Sequence, residues 1–177
     1  RSTLFPYTTL FRSALALLAA MVGMTVIGVA GLLALQNAAT RVQPLPVLQL
    51  QTLDGQAVPL QRFGNGRPAI VNLWATWCPH CVREMPVLAE AQRQYPDLDI
   101  VFLDQGEDGA RVSRFLQRRG LALDNVLLDA KGEVGRHFGL RALPATLFYG
   151  RDGSLQDIRI GALSKATLQE RIERLRR

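Results

Sequence analysis

Two cysteines occur in the chain, Cys78 and Cys81, and they stand two residues apart in the run Trp74-Ala75-Thr76-Trp77-Cys78-Pro79-His80-Cys81. At this spacing both sulfurs fall on one face of a single helical turn, close enough to form and open a reversible disulfide. Pro79 suits the first position of a helix, where no backbone N–H is needed, and this makes Cys78 the N-cap. A sulfur there faces the free N–H groups of the first turn and the positive end of the helix dipole, which favour thiolate over thiol. Such sites lower a cysteine pKa from about 8.5 to roughly 3.5–7.5, so Cys78 is the expected nucleophile and Cys81 the buried partner that resolves a mixed disulfide. No Pro-x-x-x-Thr-x-x-Cys pattern precedes Cys78, which argues against a peroxidase.

The elements around this turn alternate. Val47–Leu53 and Ala57–Leu60 flank Asp54-Gly55 as a small hairpin. Ala69-Ile70-Val71-Asn72-Leu73-Trp74-Ala75 is a nearly continuous apolar run, the pattern of a strand buried on both faces, and the cysteines sit at its C-terminal end. Open α/β sheets commonly place their chemistry there. A helix is expected from Pro79 to about Gln94, kinked at Pro86 because position 86 cannot bond back to Val82. Further strands are read at Leu98–Leu103, Asn125–Leu128, Ala145–Tyr149 and Ser154–Ile160. Helices are read at Asp108–Arg119, stopped by Gly120, at Glu133–Phe138, and after the cap Ser164.

The quoted motifs carry a resemblance. From Val71 to Pro86 the chain reads VNLWATWCPHCVREMP, later Leu143-Pro144-Ala145-Thr146 precedes a strand, and Asp152-Gly153 follows it. Over about residues 45–175 the sequence resembles the thioredoxin superfamily and, within it, the membrane-anchored TlpA/ResA-like thiol–disulfide oxidoreductases of the bacterial envelope. The resemblance implies a thioredoxin-like α/β fold, a central mixed sheet flanked by helices. It implies that Pro144 is a cis-proline packed against the cysteines, with the backbone of Leu143 offering strand-like hydrogen bonds to a substrate peptide. It implies too that Glu84, three residues after Cys81 on the same helical face, is a buried acid relaying a proton to or from the resolving thiol. Asn72 departs from the pattern, standing where cytoplasmic thioredoxins carry a buried Asp, and this moves the relay toward Glu84. His80 resembles the strongly oxidising DsbA-type site; partly cationic, it would stabilise the thiolate and make the disulfide more oxidising. Trp77 and Trp74 are expected to pack beneath and beside the site. His137 is given no role.

The N-terminal end reads differently. Residues 1–13 resemble the translation of a sequencing-adapter oligonucleotide and are set aside as non-native, with the natural start expected to be missing. Residues 14–35 are uncharged throughout and would rise about 33 Å as a helix, enough to cross a bilayer core. They are read as an uncleaved transmembrane anchor, with a signal peptide cleaved near Gly28-Val29-Ala30 as the alternative. Residues 36–46 are a polar, proline-containing linker, and residues 47–177 the thioredoxin-like domain. Of the formal charge of +6, Arg1 and Arg12 contribute two, leaving +4 dispersed among alternating charges. With no basic block interleaved with aromatics, nucleic acid is not an expected partner.

The resulting expectation is an enzyme: a thiol–disulfide oxidoreductase held by a single-pass N-terminal anchor in the bacterial inner membrane, its domain in the periplasm or otherwise outside the cytoplasm. Its substrates are protein disulfides or dithiols, and a membrane electron-transfer partner re-reduces it. Reduction is the favoured direction, with apocytochrome cysteines in cytochrome c maturation among the substrates; oxidation is the alternative. A copper chaperone on the same fold is a further alternative, but the resembling proteins use C-x-x-x-C with a distant His. Zinc would lack ligands beyond Cys78, Cys81, His80 and His137. No cofactor is expected besides the Cys78–Cys81 disulfide, and no metal.

Overall fold

The computed structural model describes residues 21–31 and 43–177. The adapter-like segment 1–13, the remainder of the anchor span 14–35 and most of the linker 36–46 lie outside the described residues. Residues 21–31 are helical with exposed side chains. Among the described residues no helix is long and apolar enough to cross a membrane. The chain divides into two units, Arg1–Arg41 and Val42–Arg177. Leu45, read from sequence as linker, is buried in the core of the second unit, so that unit takes in residues ahead of position 47.

The second unit runs β1 (Gln49–Thr52), β2 (Ala57–Pro59), a 3-10 turn (Leu60–Arg62), β3 (Ala69–Trp74), α1 (Pro79–Gln94), β4 (Asp99–Gln105) and α2 (Gly109–Arg119). It continues with β5 (Val126–Asp129), α3 (Glu133–His137), β6 (Ala145–Tyr149), β7 (Leu155–Ile160) and α4 (Lys165–Leu175). One sheet holds the strands in the order β2-β1-β5-β4-β3-β6-β7. β3 is parallel to β4, and β4 to β5, while β6 runs antiparallel to β3 and the hairpins close both edges antiparallel. This is the expected mixed sheet.

The apolar run read as a doubly covered strand is buried at all six positions of β3. Its side chains alternate: Ile70 and Trp74 join the cluster filled by Met85 and Leu88 of α1, Phe115 of α2 and Ile172 of α4. Val71 and Leu73 join the opposite cluster, with Leu60 of the 3-10 turn and Val134 of α3. Burying such a residue contributes about 1.5–3 kcal/mol, so the central strand is a firmly anchored support for a site at its end. The helix ends follow their caps. Asp108 accepts from the Arg111 N–H at 2.8 Å, Ser164 from the Thr167 N–H at 3.1 Å, and Gly120 takes the left-handed conformation (φ 62°) that closes α2. α1 runs on through Pro86, whose ring is exposed.

Candidate active site

Cys78 and Cys81 are joined in a disulfide, their Cα atoms 5.3 Å apart. Cys78 is the N-cap of α1, with extended backbone, and its Sγ accepts from the Cys81 N–H at 3.2 Å. The sulfur thus occupies the place where a capping oxygen would sit, against an otherwise unsatisfied donor. Cys78 retains 4% exposure and Cys81 none, so of the two residues only Cys78 reaches solvent. The turn carrying them hangs from the end of β3, closed by the Cys78 N–H bonding to the Ala75 carbonyl at 3.2 Å.

Behind the cysteines, Glu84 is buried and receives two donors: the Leu163 N–H to Oε2 at 2.6 Å and the Asn72 amide to Oε1 at 2.8 Å. Burial raises its pKa, and the two hydrogen bonds pull back only part of that shift. A carboxyl held this way, one helical turn beyond Cys81, can both take and release a proton. Asn72 also donates to Thr146 Oγ1 at 3.0 Å, and Thr146 lies two residues after Pro144. The Leu143–Pro144 bond is cis, and Pro144 is buried. Sequence reading treated Asn72 only as a missing acid, whereas its amide ties β3, α1 and β6 together.

The tryptophans part company. Trp74 is fully buried in the cluster that contains both cysteines. Trp77 does not pack as expected: it is 62% exposed, because the turn after β3 points its side chain away from the sheet. Pro79 and His80 are exposed, and the Arg83 guanidinium donates to His80 Nδ1 at 2.6 Å, which leaves the ring hydrogen on Nε2. His137 stacks edge-on against Phe138, 4.7 Å between ring centroids, on the exposed side of α3. A surface cavity of about 500 Å3 lined by Arg62, Asp99 and Asn125 sits at the opposite end of β4, remote from the cysteines.

Sequence reading missed a second acidic group. Asp104, fully buried at the end of β4, pairs in register with Trp74. Gly106 (φ 86°) turns the chain so that the Glu107 N–H returns to Asp104 Oδ1 at 3.0 Å. Glu107 then accepts from the Thr76 N–H at 2.5 Å, from Thr76 Oγ1 at 2.7 Å and from Arg111 Nε at 2.6 Å. The available signal was a pair of acids around a glycine where an apolar strand ends.

Comparison with known proteins was consistent with this geometry. A family model described as the AhpC/TSA family matches residues 42–158. The chain is similar to the thiol-disulfide oxidoreductase ResA of Halalkalibacterium halodurans, 28% identical over 126 residues that cover 70% of each protein. It is also similar to the thiol:disulfide interchange protein DsbE of Pasteurella multocida, 29% identical over 132 residues covering 74% of this chain and 72% of that one. Among solved structures, MTB dsbF in its mixed oxidized and reduced forms superposes with a TM-score of 0.69 at 27% identity, covering 76% of this chain and 98% of the other.

Proposed function

The chain belongs to the AhpC/TSA family of thioredoxin-like proteins, and from that premise we propose that it is a thiol–disulfide oxidoreductase acting on protein substrates. One observation carries the reading: a disulfide at the start of α1 in which Cys78 keeps the slight exposure and a backbone N–H on its sulfur while Cys81 is fully buried. In the reducing direction the Cys78 thiolate attacks a substrate disulfide and forms a mixed disulfide, releasing one substrate thiolate. Cys81, losing its proton toward Glu84, attacks Cys78, frees the second substrate sulfur and leaves the Cys78–Cys81 disulfide. Two electrons pass to substrate, and a membrane dithiol partner returns them. No cofactor enters these steps. The exposed Trp77 beside Cys78 and the half-buried Leu143 offer an apolar surface to an extended peptide.

Reduction outside the cytoplasm, with apocytochrome cysteines among the substrates and the uncharged span 14–35 as inner-membrane anchor, is the reading supported by the ResA and DsbE relatives and by Glu84 behind Cys81. Oxidation is favoured by a different observation: the Arg83 guanidinium at His80 sets positive charge near Cys78, which stabilises thiolate and hence the reduced form. The test of exchange is Cys81→Ser in the intact chain, which should accumulate substrate proteins disulfide-linked to Cys78. Finding no such adducts would sink the exchange mechanism. Equilibration with glutathione then gives direction, a potential near about −270 mV marking a reductant and one near about −120 mV an oxidant, roughly 7 kcal/mol apart.

A further inference from the structure

The acidic pair at the end of β4 is not used by the steps above, yet it holds the turn that presents the nucleophile. Glu107 is engaged as an acceptor at both oxygens: Oε2 by the Thr76 N–H, and Oε1 by the Thr76 hydroxyl and Arg111 Nε. Asp104 is fully buried, Oδ1 accepts from the Glu107 N–H, and Oδ2 has no donor. Burial and the neighbouring Glu107 both favour its neutral form. A buried carboxyl oxygen that no donor reaches is satisfied by carrying a hydrogen itself, and since the partners of the Glu107 oxygens are all donors, the hydrogen of the pair belongs to Asp104. The charged groups facing Asp104 are Glu107 on the same turn and Arg111 on α2. Its neighbours across the sheet, Trp74 of β3 and Leu128 of β5, carry none, and Asp129, one position on, is taken up by Gln105 and the N–H groups of Glu133 and Val134.

We propose that Asp104 and Glu107 form one positioning unit for the reaction at Cys78, the Asp104 carboxyl donating its proton to Glu107 while Glu107 holds Thr76, two residues ahead of the nucleophile. The role rests on the thiol–disulfide exchange reading; the hydrogen-bonded unit itself does not. Loss of the Asp104 proton to solvent leaves two buried anions in contact, with Arg111 as the single facing cation, and the grip on Thr76 loosens. Burial and Glu107 together push Asp104 up to about 8, so the loss falls in an accessible range.

The oxidised protein provides a clean test, since its cysteines do not titrate. The amide proton resonance of Thr76, followed by NMR from pH 6 to 9.5, should shift with a midpoint near 8 in the wild type. Asp104→Asn, which can still donate to Glu107 but cannot ionise, should fold, keep the low-pH Thr76 shift and show no midpoint. Over the same range, the rate constant for dithiothreitol reducing the oxidised protein, corrected for dithiothreitol thiolate, should fall about tenfold in the wild type and stay level in Asp104→Asn. A Thr76 resonance that does not titrate, or that titrates alike in both proteins, overturns the unit. A shared rate profile alongside a normal Thr76 titration overturns its positioning role. A wild type that exchanges no disulfides removes the exchange reading and with it the role, while the Thr76 titration still decides whether the unit exists.

Discussion

Two acidic sites flank the cysteine turn, and they handle burial in different ways. Behind Cys81, a lone Glu84 is surrounded by neutral donors, the Asn72 amide and the Leu163 N–H. Under Thr76, Asp104 stands beside Glu107, which is paired with one arginine, Arg111. A single carboxyl fed by amides keeps hydrogen bonds in either protonation state. A pair of carboxyls does so only while a proton lies between them. The first arrangement suits a group that must exchange a proton during each turnover, the second a group that must keep a fixed shape.

A large effect is expected from breaking the Glu84 side of this contrast. Glu84→Ala strands the Leu163 N–H and the Asn72 amide in the core and should cost about 3 kcal/mol of stability by chemical denaturation. Glu84→Gln, which retains an acceptor, should cost much less while slowing resolution of the mixed disulfide, read as longer-lived Cys78 adducts. Equal destabilisation by both variants would show that the carboxyl's partners contribute little.

Next comes the pH dependence of stability. Asp104 is raised from 3.8 to about 8 in the fold, so between these values the native protein holds a proton that the unfolded chain has released. Stability from this group is therefore fully present below about pH 4 and declines as pH rises through about 8. Asp104→Asn should remove that decline, its stability relative to wild type improving from pH 5 to about pH 8 and levelling above it in thermal melts. A difference that is flat with pH would mean that Asp104 titrates as an ordinary carboxyl.

The smallest effects come from two hydroxyls, one in each site. Thr146→Val removes the second acceptor of the Asn72 amide, and Thr76→Val removes one of the two Thr76 donors to Glu107. Each should cost about 1 kcal/mol. The two should differ in function: Thr76→Val, whose backbone N–H still reaches Glu107, should lower the exchange rate without changing adduct lifetime, and Thr146→Val should do the reverse. Indistinguishable kinetics would erase the division of labour between the two sites.

Much of the framework was readable from residue order because its causes are local. Alternating burial periods, Asp108 and Ser164 as caps, Gly120 as a stop, and Pro79 behind Cys78 each act within a few residues, and the structure places helices and strands within about two residues of the expected bounds. Misreadings arose where neighbours in space decided. Leu45 looked like linker until the second cluster covered it, and Trp77 looked like a packing residue until the turn after β3 faced it outward.

The sequence by itself determined the chemistry: two cysteines at helical spacing, a proline that starts the helix, and an apolar strand that delivers them. Those properties belong to consecutive residues and their intrinsic geometry. Only the tertiary structure decided which acids serve that chemistry. Glu84 meets Asn72 and Leu163 from separate strands and loops, and Glu107, turned back onto Asp104 past the end of the neighbouring strand, reaches Thr76. Whether a carboxyl is solvated, paired or protonated depends on what surrounds it in space, and no local pattern encodes that.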